Sequence, residues 1–248
     1  MEDIFMIENF KYGWILARKD FANNRLMFVW SSIFVLYMGG VLGILFYTGT
    51  LAGQNHFLQS STTDFIMLIC APLLGTDFSR RAFNLQKEDT YTKNLVYLRI
   101  LPVSSAAIIW GRFQQMALIF LYNWTLFFSI LYIMRIRFEV DISLISYIAF
   151  ALTWAGFCIT LMSFYLYFEF SLSGKKYMKF TFIVIFVLVI LSICSVWLDW
   201  NITNTFLLVA MKYGLASPLM WSCIAVSIVC MTLSIYGIRR TLRHRDLV

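Results

Sequence analysis

The sequence predicts an all-α integral membrane protein with six transmembrane helices and both termini on the cytoplasmic side. Three observations predict it. Of the 248 residues, 60% are hydrophobic and only 13% are charged, with a mean hydropathy of +0.76. A water-soluble domain averages about 45–50% and about 25%. The apolar residues gather into runs, and a transmembrane helix needs about 20 of them to cross about 30 Å of hydrocarbon. Finally, Lys and Arg fall almost wholly on one side of those runs.

Taken in order, the first run is 27–48, "MFVWSSIFVLYMGGVLGILFYT". The second, 63–76, is short and contains Pro72, so it is expected to reach into its flanks or to kink. The third spans 106–134, the fourth 142–168, the fifth 180–198 and the sixth 218–238. No internal repeat or low-complexity tract divides the chain. It is one transmembrane domain, 1–248, with an interfacial helix at 1–26, a cytoplasmic loop at 77–105 and an external, re-entrant segment at 199–217.

Orientation follows from the cations. Lys11, Arg18, Lys19 and Arg25 precede the first run; Arg80, Arg81, Lys87, Lys93 and Arg99 lie between the second and third, with Arg112 near the start of the third. Lys175, Lys176 and Lys179 follow the fourth, and Arg239, Arg240, Arg243 and Arg245 close the chain. Only Arg135, Arg137 and Lys212 of the 20 remain for the other side. Cytoplasmic loops carry such an excess, so both ends are expected inside. An odd number of spans would separate the two basic ends, which again favours six. The net charge of +7 and pI of 9.2 are then cytoplasmic-face charge, and no nucleic-acid partner is expected.

Ahead of the first run, Ile7, Phe10, Trp14, Ala17 and Phe21 recur at three- and four-residue steps and form one apolar stripe. Lys11, Arg18 and Arg25 flank it. Such a helix suits the cytoplasmic headgroup layer, with rings among acyl chains and bases among phosphates. The opening "MEDIFMIENFKYGW" has charge before any long apolar run, so a cleaved signal peptide is not expected.

The stretch "RRAFNLQKEDTYTKNLVYLRILPVSS", 80–105, is the largest polar insertion. Glu88 and Asp89 precede Tyr91, Leu95 and Leu98, which share a helical face, while Lys93 and Arg99 follow. Acids early and bases late complement a helix dipole. Leu101-Pro102 stops the run, and Ser104 is placed to cap the third span. A short amphipathic cytosolic helix results, with an apolar face rimmed by charge to dock a partner or to pack against its own bundle. Outside, Trp197 and Trp200 suit an interfacial belt, and the apolar 206–211 is too short to cross.

There is no G-x4-G-K-[ST], no G-x-S-x-G and no H-E-x-x-H, and the two histidines, His56 and His244, fall on opposite sides of the expected topology. No resident metal or cofactor is expected. Cys70, Cys158, Cys194, Cys223 and Cys230 all sit in apolar stretches as small buried hydrophobes. Asp64, Asp77, Arg112, Glu169 and Asp199 lie near span ends, leaving no ionisable group for a proton path near a midplane. Gly39 and Gly43 form a GxxxG suited to close helix packing.

The layout as a whole, with "LPVSSAAIIWGR" at 101–112 opening the third span, resembles the ABC-2-type permeases, the membrane half of ATP-binding-cassette exporters. The resemblance implies a dimer with a second permease copy, identical or paralogous, and two separate ATPase subunits that carry ATP and Mg. It makes residues 88–99 a coupling helix seated in the ATPase and the N-terminal helix an elbow in the lipid bilayer. It also offers Gly39 and Gly43 for dimer packing, and implies a bacterial cytoplasmic membrane and an amphiphilic peptide or drug-like cargo. Two rival readings stay open: a non-transporting membrane partner, such as an immunity or assembly factor, and a membrane-embedded enzyme.

Overall fold

The computed structural model describes residues 2–23, 25–51, 57–75, 104–198 and 200–244, and among them every regular element is helical. These are α1 Glu2–Asn23, α2 Arg25–Leu51, α3 Phe57–Leu73, α4 Ser105–Arg137, α5 Leu144–Ser171, α6 Gly174–Trp197, α7 Ile202–Tyr213 and α8 Pro218–His244. Five helices are long and apolar enough to cross a membrane: α2, α4, α5, α6 and α8. The apolar part of α3, Thr62–Leu73, is shorter. It gains length from its N-terminal flank, as its proline required, and Pro72 sits in the last turn before Leu74 and Gly75 close it.

Local chemistry sets the ends. Ser104 and Ser143 have extended backbones, and their hydroxyls accept from the amides of Ala107 and Ser146, each at 3.1 Å. Such caps satisfy amides that have no partner inside the helix. The cap expected at Ser104 is therefore present. Asn201 caps α7 in the same way, and α7 stops at Gly214, whose φ of +54° is a backbone region that glycine adopts readily. Pro218 then opens α8, where its missing N–H costs nothing.

Helices α1 and α2 run along α4 in the same direction. Asn9 meets Ser104, Gly13 meets Gly111, Phe28 meets Tyr122 and Ser31 meets Asn123. Higher still, Gly43 meets Met134. Helix α5 packs most extensively on α8, also in parallel, through Gly156 on Cys223 and Tyr167 on Gly237. Helix α3 bridges α2, α5 and α6. Trp154, Tyr47, Phe127, Phe150 and Leu166 fill the core between them. The outer faces of α2, α6 and α8 remain apolar, with Ile33, Phe186 and Leu233 exposed, a surface unfit for water and suited to lipid.

In α1 the side packed on the bundle is Asn9, Gly13 and Ala17; of the stripe expected among acyl chains, Phe10 and Trp14 are exposed, Phe21 is half-buried and Ala17 is buried. Small residues let two backbones approach, so the bundle takes them and the rings are left for the surroundings. Lys11 and Arg18 are exposed beside those rings, and the side chain of Ile7 is outside the described residues. Gly39 and Gly43, expected to let a second helix approach closely, pack against Phe127, Ile130 and Met134 of α4. Finally, only Cys70 and Cys158 are buried; Cys194 is exposed on the outer face of α6, and Cys223 and Cys230 are half-buried on α8.

Candidate functional site

The residues expected to couple to an ATPase, Glu88, Asp89, Tyr91, Lys93, Leu95, Leu98 and Arg99, lie outside the described residues, as do Asp77 and Asp199. The chain re-enters the described part at Ser104, and there the strongest polar constellation gathers. It joins the middle of α1, the first ten residues of α4 and the last turn of α5.

Helix α4 has 33 residues and is about 50 Å long, well beyond about 30 Å of hydrocarbon. The surplus falls at its start, where the sequence turns polar with Ser104, Arg112, Gln114 and Gln115. Gly13 and Gly111 permit the contact with α1. A Cβ on Gly111 would lie 2.9 Å from the carbonyl oxygen of Gly13, and a Cβ on Gly13 would lie 2.8 Å from the amide nitrogen of Gly111. Neither backbone can yield to that. Around the crossing, the Ser104 hydroxyl donates to Asn9 Oδ1 and Gln114 Nε2 donates to the Phe10 carbonyl at 3.2 Å. Phe10 and Trp110 add an edge-to-face pair at 5.8 Å.

On the other side of α4, Arg112 Nε lies 2.8 Å from Glu169 Oε1 and 3.1 Å from Oε2. Its Nη1 donates to Gln115 Oε1 at 3.0 Å. The two charged side chains are 19% and 12% exposed, so the pair is largely shielded from water. A charge-assisted hydrogen bond of this kind is stronger than one between neutral groups. Glu169 thereby ties the end of α5 to the start of α4.

Two further polar links hold the bundle. Asn123, fully buried within α4, accepts from the Ser31 hydroxyl at 2.7 Å and donates to the Leu74 carbonyl at 2.9 Å, joining α2, α4 and the end of α3. At the opposite end Asp64 is 1% exposed, and its carboxylate accepts the amides of Ile202 at 2.7 Å and Thr203 at 2.8 Å. The positive N-terminus of α7 balances that buried charge. Reading by hydropathy treats Asp64 as a span-end marker; its partners lie 138 and 139 residues away, so no local pattern announces them.

Each of these groups links one helix to another. Among the described residues, no three His, Cys, Asp or Glu side chains gather as metal ligands. The arrangement ties the start of α4 to α1 and to α5. The fold and its apolar exterior define a multi-pass membrane protein. No protein-family model, curated protein or solved structure matches the chain.

Proposed function

We propose that the chain is the permease half of an ATP-binding-cassette exporter, with α2, α3, α4, α5, α6 and α8 as six spans and both ends in the cytosol. One observation carries the reading: Ser104, at the end of the polar loop, caps a helix start that is fastened to α1 through Gly13 and Gly111 and to α5 through Glu169. A push delivered to the loop would then move three helices as one body. The skew of Lys and Arg supports the same orientation.

On this reading two ATPase subunits, with ATP and Mg, grip residues 88–99 of two permease copies. Closure of the ATPase pair displaces the loop, and the spans re-pair so that the path opens outward. Such rigid-body switching needs discrete packed interfaces, and the glycine contacts and polar links provide them. α1 is the elbow, with Phe10 and Trp14 in lipid and Lys11 and Arg18 toward phosphates. The cargo proposed is an amphiphilic peptide or drug-like compound leaving a bacterial cytoplasmic membrane.

The test is ATPase activity that co-purifies with the tagged chain from its native membranes. Vanadate-sensitive hydrolysis is expected with the natural sequence and is expected to disappear with Leu95→Asp, while membrane insertion persists. Hydrolysis unchanged by Leu95→Asp would remove the coupling role, and no associated ATPase at all would favour the immunity or assembly reading.

A further inference from the structure

Helix α6 begins with an electrostatic mismatch. Lys175, Lys176 and Lys179 occupy its first six residues, and its first turn holds no acidic residue. A helix N-terminus already carries about half a positive charge, so cations there are unfavourable. All three side chains are exposed, and among the described residues no carboxylate pairs with them. Arg239 and Arg240, also exposed, differ in kind: they stand near the C-terminal end of α8, where the dipole favours cations.

Packing fixes which way the lysines face. Tyr177 meets Tyr165 at 6.5 Å and Phe180 meets Phe168 at 3.8 Å between ring centroids, so α5 holds the aromatic side of α6. At 3.6 residues per turn, Lys175, Lys176 and Lys179 share the other side with Ile183, Phe186 and Ile190. Those three are 60%, 64% and 42% exposed. From Lys179 to Ile190 the stripe rises about 16 Å, roughly half of a ~30 Å hydrocarbon layer. One leaflet is matched, cationic at its edge and apolar along its depth.

We propose that this stripe binds an anionic glycerophospholipid, with its phosphate held by the three ammonium groups and an acyl chain laid along Ile183, Phe186 and Ile190. The site rests on α6 crossing a bilayer and is independent of any transport role. The lipid phosphate supplies the negative charge that the start of α6 lacks. The apolar stripe distinguishes a lipid from free phosphate.

The experiment is equilibrium binding of fluorescent phosphatidylglycerol, against phosphatidylcholine, to the purified full chain in detergent. A preference for the anionic lipid is expected, falling about fivefold per lysine removed and so lost in K175Q/K176Q/K179Q. The charge-preserving K175R/K176R/K179R is expected to keep it, as is R239Q/R240Q. Should the triple glutamine variant not fold, K179Q alone is expected to show the single fivefold loss. An unchanged preference in the glutamine variants would overturn the site. So would an equal loss in R239Q/R240Q, which would make the effect general charge, or displacement of the lipid by inorganic phosphate, which would make the ligand a free anion.

Discussion

Arg112 and Glu169, 57 residues apart in sequence, form a 2.8 Å ion pair that clamps the start of α4 to the last turn of α5. Removing one partner leaves a shielded charge without its counter-ion, at a cost of about 1–3 kcal/mol. Glu169→Gln and Arg112→Gln are therefore each expected to lower the unfolding midpoint in detergent. The exchange R112E/E169R is expected to recover part of the loss. A double-mutant cycle measures the coupling, expected at about 0.5–3 kcal/mol; additive losses would mean that the pair does not act as a clamp.

Gly111 tolerates no side chain. In Gly111→Ala the new methyl would stand 2.9 Å from the Gly13 carbonyl oxygen, so α1 must move off α4. Overpacking of this kind costs about 1–3 kcal/mol. Faster proteolysis within α1 is the expected signature, with the remaining helices still protected. Gly40, whose Cβ position is open, is the control: Gly40→Ala is expected to leave proteolysis unchanged.

Asp64 holds α7 by two amides. Asp64→Ala removes both acceptors, and loss of a helix-capping acceptor costs about 0.5–2 kcal/mol. Amide exchange across Ile202–Tyr213 is then expected to accelerate by roughly 2- to 30-fold. The amides of α8 are expected to keep their protection. Uniform acceleration in both helices would point to global destabilisation instead.

Asn123 is a joint between three helices. In Asn123→Leu the Ser31 hydroxyl and the Leu74 carbonyl both lose their partner. Side-chain hydrogen bonds inside membranes contribute about 0.6 kcal/mol on average and at most about 1.7. Two lost bonds are expected to lower stability by about 1–3 kcal/mol in detergent unfolding. Ser31→Ala alone is expected to cost less than half of that, because it leaves the Leu74 carbonyl bonded.

The long helices were legible because their apolar runs are continuous, and Ser104 and Pro72 behave as their local chemistry dictates. The inward face of α1 was not. The stripe marks Phe10 and Trp14 for lipid, but no local signal singles out Asn9 and Gly13, whose contact depends on Gly111 far along the chain. Asp64 and Glu169 were visible as charges near span ends, but their partners lie 138 and 57 residues away. Spacing rules within one helix cannot reach that far. Asn123 went unread, although an amide inside an apolar run needs a partner.

Residues 77–105 are proposed to receive the drive from the cytosol, and protease access reads which side of the membrane they occupy. A specific cleavage sequence inserted beside Lys93 is expected to be cut in inverted membrane vesicles and spared in right-side-out ones. Cutting from the outer side alone would place the loop on the wrong face and contradict the account.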